Sequence, residues 1–450
     1  MASWPFDFNR NVDGRLHLDK PPVQRLKTRP HQNTAWLHRA TDDDPVESVV
    51  EPWAPGADPT VKAVVKAGVT GAKESSAAAT VSTPRGDAQN AALVVLEHWK
   101  LESKCSALPS YDDENWLVET DGTKYVLKVA QAGADCRGGA DAEATRSQLD
   151  CENRIMSTLH SADLIVPQLI YPGIVALGDG QFARLISFVQ GETLSDTLKA
   201  STEPMDLLSN YGASLGRVDR ALEAFDDDGV CAGRVLGWDL RNAGNARKYL
   251  QDVDDAGKRD LAKAALDAFD ASIADIDALP KQVLHGDAND QNVLVEDGKV
   301  AFLDFGDFIK RPRVFEVAIA LAYALFGSAD GADALKRACV FVDAYHGEHP
   351  LLKTEVKLLW VLIAARNAQT VLTAAHTQKL RPNDAYVTTS AEPAWVLLRQ
   401  LAEVEVLVAE KALVQAVKPH PEGIFCAPIA AVSVALASVA AFFFLSKKRK

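Results

Sequence analysis

The pattern of hydrophobic and polar positions changes twice along the chain. Residues 1–85 carry many prolines and sustain neither a helical nor a strand period, which predicts a disordered or irregular N-terminal arm. From residue 86 onward, short alternating segments predict strands, and Asp121-Gly122 between two of them predicts a hairpin turn. Beyond Pro204, apolar residues recur every three or four positions, which is typical of amphipathic helices.

Strands followed by helices predict two lobes. We expect an α+β fold with a small sheet-containing lobe over residues 86–200 and a mostly helical lobe over residues 201–420. Within the helical lobe, the apolar stripe from Leu208 to Phe225 predicts a helix that packs into the core.

An uncharged apolar segment, residues 424–445, predicts a membrane-spanning helix. At about 1.5 Å per residue it is long enough to cross a hydrocarbon core of about 30 Å. Residues 446–450 form a basic tip that is typical of a membrane surface. The alternative interpretation is a buried terminal helix. We expect an anchor in the mitochondrial outer membrane, the peroxisome or the endoplasmic reticulum, with the folded domain facing the cytosol; the alternative location is the cytoplasm.

Composition and charge narrow the class of protein. Hydrophobic residues make up 47% of the chain, which is typical of a folded domain, and acidic residues outnumber basic ones by 61 to 48. A surface of this sign repels phosphate backbones, so we expect no nucleic-acid partner. The six cysteines are scattered without a Cys-x-x-Cys pair, which disfavours a disulfide framework or a zinc site and indicates a reducing compartment.

The strongest chemical signal lies in residues 285–307, where H-G-D-A-N-D-Q-N is followed by two short apolar strands and D-F-G-D. A two-residue turn at Asp297-Gly298 brings Asn292 and Asp304 to the same end of a hairpin, with Asp287 a short loop away. Each of these side chains alone is better explained by a capped turn or a strand end. Together, their oxygen atoms predict a site for a hard cation such as Mg²⁺ with a base beside it.

This order of motifs resembles the aminoglycoside phosphotransferase and choline kinase superfamily, whose members are relatives of the protein kinases. The resemblance implies a bilobal protein-kinase-like fold and phosphoryl transfer from GTP or ATP to a hydroxyl group. It implies that Asp287 is the catalytic base and that Asn292 and Asp304 bind Mg²⁺. Such enzymes act mainly by positioning and charge neutralisation, so few side chains are needed.

The resemblance also implies a nucleotide-binding lysine on a strand of the small lobe, and Lys128 lies within such a strand. A lysine among apolar residues needs anionic partners, here the nucleotide phosphates and Glu152 on the next helix. The alternative is a lysine on an exposed face of the sheet. The chain lacks the G-x-G-x-x-G phosphate clamp, and the loop over residues 108–115 takes its place, with Ser110 as its candidate phosphate contact.

Within the superfamily, the chain most resembles hydroxylysine kinase and the kinase-like module fused to certain class III aminotransferases. The features that carry this likeness are residues 108–115, the two motifs within residues 285–307 and the apolar segment at residues 314–323. The likeness covers roughly residues 88–415, and both termini lie outside it.

The likeness to this subgroup implies a small amino-bearing acceptor, an amino alcohol or a hydroxy amino acid, with 5-hydroxylysine as the leading candidate. Asp307 and Glu316 are candidate contacts for its ammonium group, and Arg311 or Arg313 for its carboxylate. These charges would otherwise form surface or interlobe ion pairs. The alternative enzyme is a choline or ethanolamine kinase or another aminoglycoside phosphotransferase-like kinase. The alternative from another class is a catalytically silent kinase-like scaffold at a membrane.

Overall fold

The computed structural model describes strands at residues 8–10 and 16–18, and residues 86–417 except 109, 111–112, 134–140, 203 and 382–389. The two N-terminal strands, β1 (Phe8–Arg10) and β2 (Leu16–Leu18), pair antiparallel. The rest of the predicted N-terminal arm lies outside the described residues, as do the predicted membrane helix over residues 424–445 and its basic tip.

The first lobe is built on a five-stranded antiparallel sheet. Its elements are α1 (Ala88–Trp99), β3 (Lys104–Leu108), β4 (Glu114–Glu119), β5 (Lys124–Gln131), α2 (Ala142–Ser161), β6 (Val175–Gly178) and β7 (Gln181–Ser187). The strands lie in the order β3-β4-β5-β7-β6. The predicted hairpin between β4 and β5 is confirmed, and Gly122 in its turn has a φ of +84°. Glycine is suited to this turn because a Cβ would strain such a backbone.

The second lobe is mostly helical. It contains β8 (Glu192–Thr193), α3 (Leu194–Ala200), α4 (Pro204–Leu222), α5 (Ala256–Ala271), α6 (Ile273–Asp277), β9 (Lys281–Leu284), β10 (Val293–Glu296), β11 (Lys299–Phe302), β12 (Ile309–Pro312), α7 (Val314–Ala324), α8 (Gly331–Glu348), α9 (Lys353–Leu380), α10 (Ala391–Ala402) and α11 (Val406–Ala416). The short strands form the sheets β11-β10-β8 and β12-β9. A sheet-containing lobe followed by a helical one confirms the predicted α+β organisation.

Helix α4 packs directly against α8. The predicted apolar stripe is buried from Leu208 to Leu222, and Tyr211 within it is fully buried. Phe225, the last residue of the predicted stripe, lies beyond the end of the helix and is partly buried. A Cβ on Gly212 would overlap the carbonyl oxygen of Phe341, and one on Gly216 would lie 2.7 Å from the carbonyl oxygen of Tyr345. The two helices therefore approach closely because glycine presents only backbone at the contact.

Helix α9 is the one helix in the described part of the chain that is long and apolar enough to cross a membrane. It spans 28 residues, and its most apolar window has a mean hydropathy of 1.3 and is 83% buried inside the protein. Core helices of folded domains have the same length and composition, so we interpret α9 as the central helix of the second lobe.

Candidate active site

The hairpin that carries the two predicted metal ligands forms in the predicted register. Asp297 and Gly298 have φ values of +50° and +74°, as a tight two-residue turn requires. The Leu303 N–H donates to the Asn292 carbonyl oxygen at 2.8 Å. Because Asn292 lies opposite Leu303, it ends up beside Asp304 at the same end of the hairpin.

Asp287 lies in the loop before β10, in contact with Asn292. The Asn292 Nδ2 atom donates to the Asp287 carbonyl oxygen at 3.0 Å and to the carboxylate Oδ2 at 3.3 Å. Asn289 Nδ2 donates to the same Oδ2 at 2.8 Å. Because its amide nitrogen is bonded to Asp287, the amide oxygen of Asn292 is the atom with which it could bind a cation. The predicted base and one predicted metal ligand are therefore neighbours.

The other carboxylate oxygen of Asp287 binds Arg366 from helix α9, with Nη2 and Oδ1 3.0 Å apart. Burial raises the pKa of Asp287, and the positive charge of Arg366 opposes that rise. Arg366 lies 79 residues from Asp287 in sequence, and no local motif marks it. No pattern in the sequence therefore predicts its contact with Asp287.

Two further buried side chains fix the loop around Asp287. The His285 Nδ1 atom accepts a hydrogen bond from the Asp287 N–H at 3.3 Å, so Nε2 carries the ring proton and donates to the Leu303 carbonyl at 2.7 Å. The Tyr211 hydroxyl, from α4, donates to the Ala288 carbonyl at 2.5 Å. The loop is thus bonded to the hairpin on one side and to the helical core on the other.

Glu316, a predicted acceptor contact, lies beneath this loop. Its side chain is fully buried, and its Oε2 atom accepts a hydrogen bond from the Gly286 N–H at 2.9 Å. Burial raises the pKa of Glu316, while the N–H groups of Gly286 and Ala288 oppose the rise. The predicted contact with an acceptor is therefore corrected: Glu316 is closed off from an acceptor and holds the loop before Asp287 through the Gly286 N–H.

Arg313 and Arg311, the predicted partners of an acceptor carboxylate, are engaged in ion pairs within the protein. Arg313 Nη2 lies 3.0 Å from Oε2 of the fully buried Glu355. Arg311 Nη2 lies 2.6 Å from Asp239 Oδ2. The prediction that Arg313 contacts the acceptor is corrected as well, because its guanidinium already has a buried carboxylate partner. Closeness in sequence to the metal loop was not sufficient to make Arg313 a contact of the acceptor.

Asp307, another candidate acceptor contact, borders a cavity next to the loop that carries Asp287. The same cavity is lined by Gly286, Trp238 and the Asp239–Arg311 ion pair, together with apolar side chains, and it encloses about 10 Å³. A space of this size holds about one water molecule, so an acceptor group that enters here must widen it or bind at its mouth.

Lys128, on strand β5 of the first lobe, contacts Asp304 of the second lobe. Its side chain is almost fully buried, and Nζ lies 2.8 Å from Asp304 Oδ1 and 3.7 Å from Asp113 Oδ2. This contact brings the predicted phosphate-binding lysine and the predicted metal-binding carboxylate together.

Glu152, on α2, is also buried in the first lobe. Its Oε1 atom accepts a hydrogen bond from Arg184 Nη2 at 2.9 Å, and Arg184 lies on β7 directly opposite Lys128. The predicted ion pair between Glu152 and Lys128 stays a prediction. Ser110 lies between β3 and β4, next to residues outside the described part of the chain, and its phosphate contact also stays a prediction.

The oxygen atoms at the end of the hairpin suit Mg²⁺. Asp304 offers a carboxylate and Asn292 an amide oxygen, and Mg²⁺ commonly uses one or two such ligands together with water and substrate phosphates. Elsewhere among the described residues, no cluster of three or more His, Cys, Asp or Glu side chains could bind a metal ion. A site with so few protein ligands suits a cation that binds together with a nucleotide.

The carboxyl group of Asp219, on α4, is buried near Glu316. The Tyr345 hydroxyl donates to Asp219 Oδ2 at 2.5 Å, and Asp219 is fully buried. Burial raises the pKa of Asp219 well above its ordinary value, and the nearby Glu316 adds to the rise. The folded protein therefore favours the neutral carboxylic acid at this position.

The Asp219→Asn protein should become increasingly stable relative to the wild type as the pH rises. Below the ordinary Asp pKa of about 4, the wild-type carboxyl group is neutral in both states. Between that pH and the raised pKa of the folded protein, the wild type loses about 1.4 kcal/mol of unfolding free energy per pH unit from this group, whereas Asn loses none. Urea unfolding at pH 5 and pH 8 tests this; an equal difference between the variants at both pH values would contradict it.

Comparison with known proteins adds a family match and several relatives. The model of a family described as "Phosphotransferase enzyme family" matches residues 104–351. Hydroxylysine kinase from Mus musculus is 24% identical over 348 residues, which cover 70% of this chain and 89% of that protein. Hydroxylysine kinase from Xenopus laevis is 25% identical over 334 residues, which cover 68% and 86% of the two chains.

Two solved structures with a similar fold are named as kinases. An amicoumacin kinase in complex with AMP-PNP and Ca²⁺ has a TM-score of 0.50 and 13% identity, covering 67% of this chain and 91% of that one. A microcompartment-associated aminopropanol kinase has a TM-score of 0.50 and 16% identity, covering 74% and 99%. At these identities the likeness concerns the fold, and it confirms the kinase-like architecture.

Proposed function

The chain belongs to the phosphotransferase enzyme family, and we propose that it transfers the γ-phosphate of GTP or ATP to the hydroxyl group of an amino-bearing small molecule, with 5-hydroxylysine as the leading candidate. The observation that carries this proposal is the meeting of Asp287, Asn292, Asp304 and Lys128, from two lobes, at one end of the hairpin. Phosphoryl transfer requires a base, a metal site and a cation for the phosphates in such an arrangement.

Each side chain has a role in the proposed reaction. Asp287 orients the acceptor hydroxyl group and accepts its proton, since its carboxylate is still 19% exposed. Asn292 and Asp304 bind Mg²⁺, which when bound neutralises charge on the nucleotide phosphates. Lys128 contributes a second positive charge to the phosphates from the first lobe.

The proposed acceptor class rests on the cavity beside the catalytic loop and on the relatives named hydroxylysine kinase. Asp307 and Trp238 both line that cavity, and 42% of Trp238 is exposed. A carboxylate and an aromatic ring are the groups that bind an ammonium ion.

We expect the purified protein to phosphorylate 5-hydroxylysine in preference to ethanolamine or choline. The test measures nucleoside diphosphate release with each acceptor, using ATP and GTP as donors, with lysine as the matched control that lacks the hydroxyl group. Faster turnover of ethanolamine or choline would overturn the acceptor assignment and leave the phosphotransferase assignment intact. Mg²⁺-dependent nucleotide binding without turnover of any acceptor would favour the silent scaffold.

We also propose that the C-terminal segment anchors this enzyme to a membrane, with the kinase domain in the cytosol. The support is the uncharged run over residues 424–445 followed by basic residues. Deleting residues 422–450 should give a soluble, active enzyme, whereas fusing them to a fluorescent protein should carry that protein to membranes. Recovery of the full-length protein in the soluble fraction, or unfolding of the truncated protein, would overturn the anchor.

A further inference from the structure

We propose that Arg366 is a positioning residue that fixes the carboxylate of Asp287 and links it to the acceptor-side segment at Trp238. The inference rests on the proposed function, because it concerns how the base of that reaction is held.

The guanidinium group of Arg366 connects four parts of the second lobe. Its Nη2 atom lies 3.0 Å from Asp287 Oδ1 and 3.3 Å from the Tyr323 hydroxyl oxygen. Its Nη1 atom donates to the Trp238 carbonyl oxygen at 2.6 Å and to Gln369 Oε1 at 3.4 Å. A single rigid group on the core helix α9 therefore contacts both the base and the segment that borders the cavity.

Arg366 needs its contact with Asp287 because the guanidinium group is buried. Arg366 is only 2% exposed, and its guanidinium carbon lies 5.4 Å from the Trp238 ring and 5.7 Å from the Tyr323 ring. An arginine in such surroundings is strongly destabilising unless its charge is paired, and Asp287 is its carboxylate partner. The ion pair thus restricts the side chain of Asp287 to one orientation.

The second oxygen of Asp287 is fixed independently. Asn289 and Asn292 both direct their amide nitrogens at Oδ2. With Oδ1 on Arg366 and Oδ2 on the two amides, the plane of the carboxylate is determined. Phosphoryl transfer depends on such orientation, and a displacement of about 1 Å can cost about 100-fold in rate.

The arginine is poorly placed to bind an acceptor carboxylate itself. Its two Nη atoms carry four hydrogens, and the four contacts to Asp287, Tyr323, Trp238 and Gln369 account for them. Its Nε atom is buried within the described structure, where it has no hydrogen-bond partner. An acceptor carboxylate would have to displace one of these partners, so the guanidinium acts on the substrate through Asp287.

The link to Trp238 gives the contact a consequence for specificity. Arg366 binds the backbone carbonyl of Trp238, and the same segment borders the cavity next to Asp307. An acceptor bound at this cavity would therefore contact the same segment that Arg366 holds.

The test compares Arg366→Lys with the wild type. Lysine keeps the positive charge but cannot bond Asp287 and the Trp238 carbonyl together. We expect kcat to fall by about 100-fold, with nucleotide affinity within about two-fold of wild type. Arg366→Met should lose at least as much; if it does not fold, Tyr323→Phe, which removes one contact to Nη2, should still lower kcat by a smaller factor.

Arg313→Lys is the matched control, because the Arg313 side chain is only 11% exposed and is also paired with a carboxylate, but its partner is Glu355 and not Asp287. It should lower the melting temperature and leave kcat within about two-fold of wild type. If the wild-type protein is active, either of two results would overturn the proposal. One is a kcat of Arg366→Lys equal to that of the wild type, and the other is a fall in kcat of Arg313→Lys as large as that of Arg366→Lys. A wild-type enzyme without turnover on any acceptor would overturn the proposed function, and this inference with it.

Discussion

Replacing Asp287 with Asn should lower kcat by about 10²–10⁴-fold while Mg²⁺-nucleotide binding persists. Asparagine has the same shape but neither accepts the proton of the acceptor nor carries the charge that orients it. The predicted metal ligands Asn292 and Asp304 remain in this variant. Steady-state kinetics with the best acceptor, together with nucleotide titration in Mg²⁺, measure the two effects separately.

The ion pair between Asp287 and Arg366 determines the temperature at which the Asp287→Asn protein should be assayed. Without the Asp287 carboxylate the buried guanidinium loses its charged partner, which typically costs about 3–5 kcal/mol. Rates should therefore be compared well below the melting temperature of the variant. Asp297→Asn is the matched control, because it makes the same change in the exposed hairpin turn. Near-normal turnover in Asp287→Asn would remove Asp287 from the mechanism.

Replacing Asp304 with Ala should weaken Mg²⁺-nucleotide binding by about 100-fold or more. Loss of a group that merely supports a metal ligand typically costs about 10–100-fold in affinity, and Asp304 is itself a predicted ligand at a site with few others. In the absence of Mg²⁺ the affinity should not fall, because the change also removes a carboxylate that competes with phosphates for Lys128. Titrations with and without Mg²⁺ make this comparison.

Asp307→Ala provides the control for the metal experiment. Asp307 lies in the same turn, three residues after Asp304, and borders the cavity. This variant should raise the KM for the acceptor and leave Mg²⁺-nucleotide affinity unchanged. Equal Mg²⁺-nucleotide affinity in wild type and Asp304→Ala would show that Asp304 is not a metal ligand.

The parts of the site that could be predicted are those set by local geometry. A two-residue turn at Asp297-Gly298 determines the register of the hairpin, so the neighbourhood of Asn292 and Asp304 follows from counting residues. The contacts of Tyr211 and Arg366 lie 77 and 79 residues from their partners in the loop. A helical period shows which face is buried, but it does not show which loop that face will meet.

The internal role of Glu316 could have been predicted from the sequence. It is the single charged residue in α7, and every residue of that helix is buried. A carboxylate inside an apolar helix needs donors within the protein, which already indicates an internal anchor in preference to an acceptor contact. Arg313 directly precedes the same helix, and its partner Glu355 lies 42 residues away. Only the packing of α7 against the start of α9 could identify that partner.

The backbone-to-backbone contact between α4 and α8 has a consequence for how the site responds to heat. Tyr211, which bonds to the catalytic loop, immediately precedes Gly212, where the two helices touch. We therefore expect the loop to unfold together with the helical core and not as an independent segment. Warming that leaves the helices folded leaves the catalytic groups assembled, so activity and global structure should disappear within one transition.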